Sequence, residues 1–442
     1  MSDVLYLINS RNFSELEAGS LTELDEARID FIRGRSRPAL RSIDEMLPGL
    51  DPSTRAYRDA VAFRLLVLAM MGQGDDSLPA EAGRVHSGGS EALDIMSLCL
   101  RGNECWRAGD LIQGLWLNQS AYEKARGVAP IWRFYAGFLF AKRLIDIHIP
   151  YQADRVIRDT RELVESAGLF AFLPMPVALE SLRHWQEGHL DRAERCARLT
   201  LRLGRQYTSA FGSKIALSVL AMVHLGRGDW TKAGKCLEAF RAGSELYGMP
   251  DSVARAAFGE VALVLVREGP RAAAERIRER WTLLGTGSGY AVEDPARPAW
   301  LVAVARQAGD AELAERSLRE VERLVENNRG VAPLETAAAH ARAVMAGDRP
   351  KLTTVLPFAH PATRARSLAS ALTRREHEIA RLVVQGMTNQ QIALRLGLSP
   401  NTVSFHLRNV FRKFSVSTRA RLSSIMAQEE RGRAGGTGAD GW

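Results

Sequence analysis

From residue 1 to about 356, apolar positions recur at spacings of three and four, and strand-like alternation is almost absent. The pattern predicts helix after helix, an all-α architecture. A mark recurs at the corners between helices: a glycine followed five positions later by a small residue. It occurs as Gly188 with Ala193, Gly228 with Ala233, Gly269 with Ala274 and Gly309 with Ala314, with successive alanines 40, 41 and 40 residues apart. Gly34 with Ala39 is an earlier match. Gly-Asp pairs mark related corners at Gly74-Asp75, Gly109-Asp110 and Gly347-Asp348, and His148 with Ala153 keeps the register without the glycine. The glycine turns the corner, and the alanine lets two helices approach closely. Paired helices with a period near 40 predict an α-solenoid of helical hairpins over residues 1–356. Two stretches interrupt the rhythm, 72–89 and 285–289, and both read as inter-helix loops. Residues 357–371 read as a linker, 372–428 as a second domain, and 429–442 as a glycine-rich disordered tail.

The pattern tightens in the second domain, where three helix starts are written close together. Thr373 with Glu376 fits a capping box, as does Thr388 with Gln391. Ser399 is a third cap, followed by Pro400 at the first helical position. Gly386 and Gly397 stand where the first two helices end. Only Gly397, Leu398 and Ser399 separate the second helix from the third, the tight turn of a helix-turn-helix. Along the third helix, Val403, Leu407, Val410, Phe411 and Phe414 fall on one face and are expected to pack inward. Asn401, Ser404, Phe405, Arg408 and Arg412 fall on the other. Short polar groups near a helix start, with arginines further along, suit a major groove. A fourth helix is expected from Thr418, with Leu422, Ile425 and Met426 as its apolar stripe.

The run Thr373…Glu376, Gly386-Met387-Thr388-Asn389, Ile392-Ala393, Leu396 through Val403, His406-Leu407 and Lys413-Phe414 resembles the LuxR/FixJ-type DNA-binding domain. The resemblance implies a four-helix domain whose third helix enters the major groove and whose fourth makes a dimer contact through Leu422, Ile425 and Met426. It places Ser404, Phe405 and Arg408 towards base edges, with Asn401 and Thr402 beside them. Arg412, Lys413 and the helix N-termini at Thr388 and Ser399 are then expected to hold phosphates. Four positions depart from the commonest family pattern: Ser404 stands for lysine, Phe405 for a small β-branched residue, Ser415 for glycine and Arg421 for an acidic residue. The repeat region resembles, more weakly, the tetratricopeptide-type sensor part of large maltose-regulator-like members of the same class. The ATPase those carry has no counterpart here: the one Gly-Lys pair, Gly234-Lys235, is followed by Cys236 and forms no P-loop. The resemblance thus implies a transcription regulator that binds double-stranded promoter DNA as a homodimer and contacts RNA polymerase, with a small-molecule or protein effector on the repeats. The alternative is an interaction scaffold in which DNA binding is subordinate.

Charge sharpens this picture. The net charge is +8 over 442 residues, yet residues 372–428 alone carry nine Lys or Arg against two Glu. The basic excess sits on the segment expected to meet phosphate. Cys99, Cys105, Cys196 and Cys236 form no C-x-x-C pair, and the nine histidines show no metal-ligand spacing, so no cofactor is expected. His184 and His189 flank a helix corner and read as capping or solvent contacts. The aromatic residues Trp132, Phe134, Tyr135, Phe138, Phe140, Phe170 and Phe172 read as core or as the lining of a pocket. No nucleophile–base signature points to an enzyme. The first residues, MSDVLYLINS, lack a basic leader, and the longest apolar run, 61–71, is too short to span a membrane; a cytoplasmic protein is expected.

Overall fold

The glycine–alanine register becomes helix, corner, helix in a computed structural model that describes residues 22–72, 91–242, 250–284, 292–347, 374–414, 419 and 422. The chain forms two units, Met1–Asp348 and Arg349–Trp442. The expected linker, tail and interrupting loops lie outside the described residues, as do the cap at Thr373 and the start of the fourth helix. All regular structure among the described residues is helical. The first unit holds α1 (Glu23–Ile32), α2 (Ser36–Met46), α3 (Arg55–Met71), α4 (Glu91–Ala108), α5 (Leu111–Lys124), α6 (Pro130–Asp146), α7 (Pro150–Ser166), α8 (Pro174–Gln186) and α9 (Leu190–Gln206). It continues with α10 (Ser213–Gly226), α11 (Trp230–Ala242), α12 (Pro250–Glu268), α13 (Pro270–Glu279), α14 (Trp281–Leu284), α15 (Arg297–Ala308), α16 (Ala311–Asn327) and α17 (Ala332–Met345).

Successive helices pack as antiparallel hairpins, and each hairpin stacks on the next. The two members of a hairpin differ in kind. Helix α10 is buried nearly all round, whereas α9 buries only Ala193, Ala197 and Thr200 along one stripe. An inner helix is covered by its partner and by two neighbouring hairpins, so it is apolar throughout; an outer helix needs one apolar face. The corners share one form, except that Gly269, followed by Pro270, donates to Leu265 O. At the end of α8, Gly188 takes φ 78°, its N–H donates to Trp185 O at 2.9 Å, and His189 N–H donates to His184 O at 2.8 Å. His148 makes the same turn with φ 59°, a strained conformation for any residue but glycine. A tertiary bond holds it there: Nε2 donates to Val292 O at 3.0 Å. The small residues that follow, Ala153, Ala193 and Ala233, are fully buried. After Gly109 the small residue is Gly114, and a Cβ there would lie 2.8 Å from Gly102 O, so α4 and α5 meet backbone to backbone.

The aromatic residues of α6 belong to the core. Phe134 meets Tyr135 edge-on at 5.1 Å and Phe172 at 5.1 Å, and Phe172 stacks on Phe211 at 5.4 Å.

Two long-range devices close the stack on itself. Asn328, fully buried at the end of α16, accepts from Leu111 N–H at 2.8 Å and donates to Gly109 O at 2.6 Å and Leu324 O at 2.8 Å. Around it Trp106, Leu111, Val292, Leu324 and Leu334 form one apolar cluster. The last hairpin therefore seats on the α4–α5 corner. The second device is a buried ionic network that joins α6, α10, α12 and α15 through Glu293 and Asp251. Lys142 bonds Asp146 and, at 2.8 Å, Asp251. Arg255 forks onto both Glu293 oxygens at 2.7 Å and reaches Ser218 Oγ at 2.7 Å, while Arg297 approaches Glu293 at 3.4 Å. Burial pushes the Asp146 carboxyl up to about 6 against the pull of Lys142. Burial would also raise Asp251, but the Lys142 and Arg143 charges outweigh it and hold that carboxyl below the usual range. No described helix is long and apolar enough to cross a membrane.

Candidate nucleic-acid interface

Local chemistry sets each element of the second unit. The described helices are α18 (Arg374–Val384), α19 (Asn389–Leu396) and α20 (Pro400–Phe414). Thr388 and Gln391 cap α19 reciprocally, Thr388 N–H to Gln391 Oε1 at 2.8 Å and Gln391 N–H to Thr388 Oγ1 at 3.3 Å. Gly397 ends the helix with φ 63°. Ser399 Oγ then accepts from Thr402 N–H at 3.1 Å and starts α20. A three-residue turn leaves the two helices no freedom to separate, so their apolar stripes meet. Ile379, Ala380, Leu382 and Val383 of α18 pack with Ile392 and Ala393 of α19 and with Val403, Leu407 and Val410 of α20. Phe411 packs at the edge of this core. The side chains of Arg412, Lys413 and Phe414 lie outside the described residues.

Packing one face of α20 inward turns the other outward. Asn401 and Arg408 are exposed, and Phe405 keeps 56% of its surface open. Thr388 and Ser399 are exposed at their helix starts, and Thr402 is half-buried against Ser399. Ser404 is half-buried as well. Its hydroxyl donates to Pro400 O at 3.0 Å and accepts from Asn389 Nδ2 at 3.1 Å. With its one proton committed, that hydroxyl retains only acceptor capacity towards a ligand.

Asn389, quoted above only within the family run, and Arg419, not singled out by the sequence, brace the outward face of α20. Arg419 bonds Met387 O and donates to Asn389 Oδ1 at 2.9 Å, and Asn389 passes the constraint to Ser404. Arg375 ties the first helix to the end of the second through Leu396 O at 2.8 Å. The placement of Leu422 corrects an expectation. It is fully buried in the domain's own core, so it has no surface to give a second copy. It belongs to the same apolar cluster as Ile379 and Val410. Ile425 and Met426 lie outside the described residues.

The family described as bacterial regulatory proteins of the luxR family matches residues 370–426. The probable transcriptional regulatory protein SgaR of Hyphomicrobium methylovorum is 50% identical over 50 residues, 11% of this chain and 24% of that protein. The transcriptional regulatory protein UhpA of Escherichia coli (strain K12) is 44% identical over 55 residues, 12% of this chain and 28% of that protein. The nitrate/nitrite response regulator protein NarP of the same organism is 40% identical over 60 residues, 14% and 28% respectively. The chain thus spans about a quarter of the length of these curated relatives. A chain of the APC/C hetero-tetramer Cut9–Hcn1 aligns with a TM-score of 0.45 at 13% identity, covering 76% of this chain and 58% of that one. With its caps, three-residue turn and shared core, the segment 370–426 is a helix-turn-helix domain of the luxR family of bacterial regulatory proteins.

Proposed function

We propose that this protein is a sequence-specific DNA-binding transcription regulator that reads a promoter through α20. The outward row Asn401, Phe405 and Arg408, opposite the buried Val403, Leu407 and Val410, carries this reading. In the groove, Arg408 forks onto a guanine, the commonest specific pairing. Phe405 offers its ring to a thymine methyl. Ser404, held by Pro400 O and Asn389, accepts from a base amino group. The helix starts at Thr388 and Ser399, with Arg412 and Lys413, hold phosphates and fix the register without reading sequence. Two copies on an inverted repeat complete the assembly, and the helical repeats take a small-molecule or protein signal and pass it to RNA polymerase.

Binding measured across a library of sites tests the assignment. Arg408→Ala is expected to lose about 1–3 kcal/mol on preferred sites only, flattening the preference. Lys413→Ala is expected to weaken every sequence alike and to lower the salt dependence. Equal losses on all sequences for Arg408→Ala would remove the base-reading role.

A second reading has one observation in its favour. Ile112 and Trp116 stand exposed one turn apart on α5, 52% and 58% open. In that reading the repeats dock a partner and DNA binding is subordinate. A promoter fragment shifted by the purified protein alone decides for the first.

A further inference from the structure

The corner between α8 and α9 turns three nearby donors of the chain towards one another. His184 lies in the last turn of α8, Glu187 caps that helix, and His189 stands at the N-cap of α9. Gly188 reverses the chain between them, so the three side chains converge on one side of the turn. His189 Nδ1 is 3.3 Å from Glu187 Oε2, His184 Nδ1 is 4.0 Å from the same oxygen, and all three donor atoms lie within 4.8 Å of one another.

Neither histidine spends its corner-facing nitrogen on capping a helix. His189 sits at the N-cap but makes no capping bond with its side chain. His184 Nδ1 is buried with no hydrogen-bond partner among the described residues. A buried polar atom without a partner is costly, and native structures rarely tolerate one without a reason. The carboxylate of Glu187 is held by Arg183, whose Nη1 is 2.7 Å from Oε2; Arg183 also reaches Asp154 at 3.2 Å. Carboxylates that ligate metals are commonly fixed by an outer partner, and this ion pair leaves Oε1 open.

We propose that His184, Glu187 and His189 bind one divalent transition-metal ion of the zinc class. The donor chemistry selects the class: two imidazole nitrogens disfavour calcium and magnesium, and the absence of thiolate disfavours copper(I). Bonds of about 2.0–2.2 Å in a tetrahedral set place donors roughly 3.4 Å apart. One pair already has that spacing. The other two close through side-chain rotation, which Glu187 and His189 allow because they are exposed, at 38% and 49% of their side-chain surface. Three protein donors leave a fourth position for water or an incoming ligand. The site is independent of the DNA-reading assignment. It also stands next to the ionic network: Gln186 donates to Glu293 O at 3.0 Å, and the Trp185 ring lies 5.4 Å from the Arg297 guanidinium.

The experiment uses the full chain stripped with a chelator. Zinc(II) is titrated calorimetrically, and cobalt(II) is titrated while its visible absorption is followed. The proposal expects one equivalent bound per chain, with cobalt absorption typical of nitrogen and oxygen donors. His189→Gln and Glu187→Gln, both at exposed positions, are each expected to weaken binding on the order of tenfold to hundredfold or more. Circular dichroism checks that the variants keep their helices. Failure of the wild-type chain to take up one equivalent overturns the proposal. Uptake unchanged in either folded variant overturns it equally, because the donor set would then be wrong.

Discussion

Removing the Asn328 side chain tests whether the helical stack is held closed as described. In Asn328→Ala, Leu111 N–H, Gly109 O and Leu324 O all lose their side-chain partner. Leu111 is the first residue of α5, so its N–H has no partner within its own helix. Asn328 is fully buried beside the Trp106–Leu334 cluster, so only a water trapped in the vacated space takes over part of its bonds, at the cost of immobilising it. Each buried group left unsatisfied costs about 1–3 kcal/mol. Partial relaxation at three sites then gives a net loss of about 3–6 kcal/mol, a large share of a domain's stability. Asn327, its exposed neighbour, serves as control; Asn327→Ala is expected to stay within about 0.5 kcal/mol. The assay is denaturant unfolding joined to amide hydrogen exchange, read at Leu111 and across α16 and α17. Protection is expected to fall first at Leu111 and in the last hairpin. A loss below about 1 kcal/mol with Leu111 protection unchanged would refute the closure.

Further outcomes follow from the same packing. The folded chain holds the Asp146 proton more tightly than the unfolded chain, since burial raises that carboxyl to about 6 from 3.8. Its contribution is therefore fully present below pH 4 and is lost as pH rises to 6, at about 1.4 kcal/mol per unit. Asp251 is shifted the other way and stays ionised throughout that window, so it does not mask the effect. Wild type measured against Asp146→Asn is expected to gain about 1 kcal/mol on going from pH 7 to pH 5; a constant or falling difference would contradict the placement. Gly114→Ala pits about 1 kcal/mol of better helix propensity against a clash with Gly102 O at 2.8 Å. Because the opposing atom is backbone, the clash, worth about 1–3 kcal/mol, is expected to win, and a variant as stable as wild type would show that α4 and α5 can part.

How far the sequence reached depended on the range of each interaction. Caps, corners and helix faces rest on bonds between residues three to five apart, so Thr388 with Gln391, Ser399 with Thr402 and the Gly188 turn were all legible. His148 was legible as a corner by register alone, although what holds its backbone is a bond to Val292, far along the chain. The inward stripe of α20 followed from its period. The outward row followed with it, except that the bonds occupying the Ser404 hydroxyl depend on where Asn389 falls.

Longer-range pairings carry no such periodic mark. Asn328 reads as an ordinary residue at a helix end, and nothing near it names Gly109 or Leu111 as its partners. Charges such as Lys142, Asp251, Arg255 and Glu293 look like solvated positions in sequence, and only the stacking of inner helices buries them together. Leu422 fits an apolar stripe equally well whether it faces a second copy or its own core. The amino-acid order settled which segments are helices and where they turn, because those choices are made by neighbours along the chain. The tertiary structure decided which of their faces meet, because desolvation and pairing act between groups that only the complete packing brings within reach.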